Sequence, residues 1–135
     1  MVKPIVLRVQ RLPRMNSSSN VHWRVKVRDR QSWGLLMLAA LGRQRKPAAP
    51  LEHARVQFTR HSSRQGDDDN LRESFKLCRD LLQPSSKLNP GGLGLIAGDD
   101  PEHLEAAYQW QLAPRGKGWV EIVVEDALEA PVGGP

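Results

Sequence analysis

Cys78 is the single cysteine in the 135 residues, so no disulfide can form within the chain and a reducing cytoplasm is the expected setting. Long apolar runs are missing too. Nothing approaches the ~20 residues that a membrane-spanning helix needs. The opening MVKPIVLRVQRLPR is interrupted by arginine too early to read as a signal peptide. Several catalytic signatures are likewise absent. There is no GxxxxGK[ST] phosphate loop, no G-x-S-x-G nucleophile elbow, and no P-C-x-x-C to complete the H-x-E of His103 and Glu105. An EF-hand loop beginning at Asp67 would need glycine and glutamate where Arg72 and Cys78 stand.

Acid is nearly absent from the first half. Residues 1–64 hold fourteen Lys/Arg against only Asp29 and Glu52, whereas residues 65–135 hold six against thirteen acids. A basic half points to a polyanionic partner met through phosphate contacts. The remaining composition, 39% hydrophobic and 26% charged, is that of one ordinary globular domain. The domain is expected over 1–126, with 127–135 as a disordered tail.

Alternation of apolar and polar residues predicts strands at 4–13, 54–61 and 118–126, and a short buried strand at 93–100. Segment 103–112 is ambiguous. A helix is expected from Val21 to Leu41, capped by Ser19 or Asn20, with Trp33, Leu36, Met37 and Ala40 at helical spacing. Its first half also alternates and fits a strand. The clearest helix is 69–82, where Leu71, Phe75, Cys78 and Leu82 form an apolar stripe opposite Asp69, Glu73, Lys76 and Asp80. The expected architecture is a small mixed α/β (α+β) domain with one sheet and two main helices. Of the four tryptophans, Trp33, Trp110 and Trp119 read as core or interface residues, and Trp23, among basic residues, is a candidate for DNA contact.

The densest negative charge, DDDN at 67–70, lies just before that clearest helix. In extended backbone Asp67 and Asp69 face the same way, and a second pair, Asp99 and Asp100, follows another apolar run. Two readings stand. The acids cap a helix, with Asn70 and Glu73 at capping-box spacing, or they converge on a hard cation, Mg²⁺ or Mn²⁺, that grips a phosphate.

Taken together, the strand ending near RLPR, the Ser/Asn-rich turn, the HW and basic helix, the D-x-D-N-L motif and the apolar segment closing in DD resemble the RusA family of Holliday junction resolvases. The resemblance spans roughly Val6 to Asp126. It implies a homodimeric, Mg²⁺-dependent, bacterial or phage-borne endonuclease that nicks four-way DNA junctions in symmetric pairs, leaving 5′-phosphate and 3′-hydroxyl ends. It also implies metal-binding roles for Asp67, Asp69 and Asp100, with Asn70 ordering the turn. The family's functional lysine, commonly three residues after the asparagine, is replaced by Glu73, and Lys76 is expected to take its part. The loop before Asp99 is longer than the family's. Arg24, Lys26, Arg28, Arg30, Arg60 and Arg64 are expected to guide DNA phosphates. Glu73 motivates an alternative, a junction-binding protein with weakened catalysis, and a metal-dependent nuclease for other branched DNA is a third reading.

Overall fold

The computed structural model describes residues 3–15 and 22–128. The proposed caps Ser19 and Asn20, and most of the 127–135 tail, lie outside the described residues. In chain order the elements are β1 (Ile5–Val9), α1 (Trp23–Leu41), β2 (Ala54–Ser62), α2 (Asp68–Ser74), α3 (Lys76–Leu82), β3 (Leu104–Leu112) and β4 (Trp119–Asp126). The strands form one mixed sheet in the order β1-β4-β2-β3. β4 runs antiparallel to both β1 and β2, while β2 and β3 run parallel. This is the small α+β domain the pattern predicts.

Period-two alternation fixes which face of the sheet is covered. Ile5, Leu7 and Val9, Val56 and Phe58, and Val120, Ile122 and Val124 are all buried and meet the helices. From the helical side come Trp33, Met37 and Leu41 of α1, spaced one turn apart, with Leu71, Phe75, Cys78, Leu81 and Leu82 of α2 and α3. Phe58 is the hub of the aromatic part, with ring centroids 5.1 Å from both Phe75 and Tyr108. The first half of α1 has no such apolar stripe. Polar bonds hold it instead: Asp29 accepts from Arg14 Nε at 2.6 Å, and Arg30 lies 3.8 Å from Asp80.

Three expectations change. The helix expected at 69–82 is two helices. It breaks at Phe75, whose N–H reaches back three residues to the Arg72 carbonyl at 3.2 Å, while Ser74 Oγ donates to the Leu71 carbonyl at 2.7 Å. The apolar stripe continues across the break, but the polar stripe is divided by it. The apolar run 93–100 is no strand. Its backbone is spent elsewhere: the Leu93, Leu95 and Ile96 N–H groups donate to the carbonyls of Leu81, Leu82 and Leu82, and Ala97 donates to Leu51. The segment therefore caps the C-terminal end of α3 while burying Leu93, Leu95 and Ile96. Gly92 permits that approach, since a Cβ there would lie 2.3 Å from the Gln83 carbonyl oxygen. Finally, the ambiguous 103–112 is the edge strand β3.

Candidate functional site

The DDDN segment begins where β2 hands over to α2. Asp67 is still extended and is the N-cap, its Oδ1 accepting from the Asn70 N–H at 2.8 Å. Asp68 and Asp69 already lie in the first helical turn, so the side-chain alternation that would pair Asp67 with Asp69 ends at the cap. Acids there also face the positive end of the helix dipole. Asp67, rather than Asn70, is therefore the cap, and the next two acids face a cleft.

That cleft, about 510 Å³, lies between α2 and β3. Its polar lining is Asp68, Asp69, Arg72, Arg79, Asp99 and Tyr108. Asp99 arrives from the turn that follows the buried 93–98 segment, so carboxylates distant in sequence open on one space. Arg79 is held across it, Nη1 donating to the Tyr108 hydroxyl at 2.8 Å and to the Arg72 carbonyl at 2.9 Å. Arg72 and Arg79 are not among the site residues expected from the sequence, which follow the acidic side of the helix. The signal available was their i, i+7 spacing, which puts both on one face.

Asp100 is directed elsewhere. Its carboxylate lies 2.8 Å from His103 Nδ1 and accepts from the Glu102 N–H at 3.0 Å. The hydrogen bond from His103 is the main reason its pKa is lowered, and the same bond raises that of His103. A Cβ at Gly98 would stand 3.1 Å from Asp100 Oδ2 and 3.3 Å from His103 Nδ1, so a side chain there would crowd this pair. Among the described residues, no three His, Cys, Asp or Glu side chains form a ready-made metal cluster.

Lys76, beyond the break at Phe75, opens on a second cavity of about 180 Å³ with Lys26, Asp29, Arg30 and Asp80. Asp69 does not line this cavity. Burial raises the Asp80 carboxyl above its ordinary range, with Arg30 and Lys76 pulling the other way.

The six basic residues expected to face DNA divide. Arg24, Lys26, Arg28 and Arg64 are exposed. Arg30 is engaged with Asp80 and Asn89. Arg60 is only 6% exposed. It donates to the Pro13 carbonyl at 2.8 Å, lies over the Trp110 ring, and has its pKa lowered by burial. Trp33 is core as expected, Trp119 stacks on His61 with centroids 3.7 Å apart, and Trp23 is 63% exposed under Arg24. Compared with known families, curated proteins and solved structures, the chain matches none.

Proposed function

We propose that the chain is a divalent-cation-dependent endodeoxyribonuclease of the resolvase kind, cutting four-way DNA junctions as a homodimer. The observation that carries this reading is the meeting of Asp68, Asp69 and Asp99 on one cleft with Arg72 and Arg79. The donor set is oxygen only, as Mg²⁺ or Mn²⁺ prefers. Mg²⁺ is commonly held by one or two carboxylates together with waters and substrate phosphate, so a closed three-carboxylate cluster is not required. One or two of Asp69, Asp68 and Asp99, with waters and a substrate phosphate, would hold the ion. When bound, such an ion lowers the pKa of a coordinated water and polarises a phosphodiester oxygen.

The rest falls to the chain's own side chains. Arg79, fixed by Tyr108, and Arg72 offer planar, multi-donor groups to phosphate oxygens beside the carboxylates. Exposed Arg24, Lys26, Arg28 and Arg64 add counterion release along the DNA. Lys76 stands beside Asp80 in the neighbouring cavity and balances charge there.

The test is cleavage of a labelled four-way junction in Mg²⁺ and in Mn²⁺, native protein against Asp69→Asn. Paired symmetric nicks from the native protein alone, with junction binding kept in the variant, are expected. Equal rates on linear duplex would remove the junction from the proposal. The lack, among the described residues, of a ready-made metal cluster favours one rival, binding without catalysis; tight junction binding with no nicks in either cation would establish it.

A further inference from the structure

The two edges of the sheet are treated differently. At the β1 edge the Gln44 side chain occupies the place of a neighbouring strand: its Oε1 accepts from the Val6 N–H at 2.8 Å and its Nε2 donates to the Val6 carbonyl at 2.7 Å. Pro4 and the exposed Arg8 add further guards. The β3 edge has none of these. Its nine residues, LEAAYQWQL, contain no proline and no lysine, and the single charge is Glu105.

The ladder between β2 and β3 shows which backbone groups face outward. Ala54 N–H donates to the His103 carbonyl and Ala113 N–H to the Ser62 carbonyl. In a parallel pair this turns the odd-numbered residues of β3 toward β2 and the even-numbered ones away. Among the described residues, the N–H groups of Ala106, Tyr108, Trp110 and Leu112 then carry no hydrogen bond. An open edge of this length is a template for another strand.

The strand is also complementary to itself. Antiparallel pairing of two copies joins outward-facing residues with outward-facing residues, and full overlap of the nine fixes one register. Tyr108 meets the second copy's Tyr108, Ala106 meets Trp110, and Leu104 meets Leu112. A small side chain thus faces a large one. Leu112, 86% exposed in the single chain, gains an apolar neighbour. On the other face Glu105 lies opposite Gln111 and Ala107 opposite Gln109, so no like charges are juxtaposed.

We propose that β3 is the dimer interface: two copies pair antiparallel through Leu104–Leu112, with Tyr108 on the two-fold axis, into one continuous eight-stranded sheet. Such an isologous contact closes after two copies. It also brings both Asp69 clefts beside the axis, since Ala106, Ala107 and Tyr108 line them. The pairing stands on the strand edge and is independent of the nuclease reading, although it supplies the two sites that paired nicks need.

The experiment is solution mass by light scattering across micromolar concentrations, without DNA, so its outcome is separate from any cleavage result. The native chain is expected at the mass of two copies. Ala106→Pro removes an outward N–H and spares the β2 ladder, as proline on an edge permits, and is expected at the mass of one copy. The exposed Gln111 gives a second arm that leaves the backbone unchanged. Gln111→Glu sets one carboxylate opposite the second copy's Glu105 in each of the two symmetric pairs, about 4.5 Å apart between Cα atoms. It is expected to weaken the dimer roughly two- to thirtyfold, and Gln111→Lys to tighten it. A native chain of single mass would overturn the proposal, as would a folded Ala106→Pro dimer or Gln111 variants that dissociate like the native protein.

Discussion

Asp99 and Asp100 are adjacent in sequence and serve opposite sides of one turn: Asp99 lines the cleft with Asp68 and Asp69, and Asp100 accepts from His103 at 2.8 Å. Their substitutions should therefore differ. Asp99→Asn is expected to cost at least two orders of magnitude in junction cleavage, comparable to Asp69→Asn, because a charged donor leaves the cleft. Asp100→Asn, which leaves the cleft's own carboxylates in place, should cost tenfold or less. Single-turnover cleavage at saturating Mg²⁺ measures both, and a reversed order would return the site to Asp100.

The Asp100–His103 pair also has a pH signature. The carboxylate raises the His103 pKa above 6.5, and the imidazolium lowers that of Asp100 below 3.8. The raised histidine contributes stability that is complete below its unfolded value and disappears as pH rises through its folded value. The lowered aspartate contributes stability present above its unfolded value and lost as pH falls through its folded value. The pair therefore acts between the two. Asp100 is exposed and His103 partly so, and the effect is read by NMR titration of the His103 ring. Its midpoint should lie above 6.5 and return toward it in Asp100→Asn; an unmoved midpoint would mean that the pair does not persist in solution.

Arg28 and Arg60 are both basic, yet one is exposed and the other buried over Trp110. Arg28→Ala should weaken junction binding at every sequence and lower the salt slope by about one, with stability within about 0.5 kcal/mol of native. Arg60→Ala should leave the salt slope alone and lower the melting temperature, since it removes packing and the bond to the Pro13 carbonyl. Binding against salt and thermal unfolding of both variants separate the roles.

Much of the fold was legible because one-sided burial imprints alternation: β1, β2 and β4 each bury one face. β3 was ambiguous for the converse reason. As an edge strand it is exposed along most of its length, so little hydrophobic contrast survives in its sequence. The 93–98 run misled because Leu93, Leu95 and Ile96 are as buried as strand residues while their N–H groups close the end of α3. At the site, the sequence singled out two acidic segments, and Asp68, Asp69 and Asp99 from them line one cleft. It could not show that Asp67 is the cap, or that the helix breaks at Phe75 with Lys76 and Asp69 opening on different cavities. Such a break is set by a few local hydrogen bonds and leaves the apolar stripe unchanged.

Cys78 offers a probe of the core that is independent of function. It is fully buried, and burial pushes its thiol up to about 12. Thiolate is the reactive form, so a disulfide reagent at pH 8 should leave the native thiol unmodified and label it at a rate set by unfolding. Labelling in denaturant should be fast and complete. Rapid labelling of the folded protein would mean that α3 opens readily and would weaken every inference that depends on its packing.

Gln44 tests whether the guarded edge matters. Its amide makes two bonds to Val6 and reaches the Ala40 carbonyl at 3.2 Å, in a partly buried setting. Gln44→Ala loses these bonds and leaves the Val6 N–H and carbonyl to water or to another chain, at a cost of about 1–2 kcal/mol. For a domain of this size that corresponds to a melting temperature lower by roughly 3–10 °C. Because the substitution also opens the β1 edge, the variant should form species larger than a dimer, growing with concentration, whereas native protein closes after two copies. Thermal unfolding and light scattering of the variant read the two effects separately. A lowered melting temperature without larger species would make Gln44 a packing residue alone; larger species without a loss of stability would make it a guard alone.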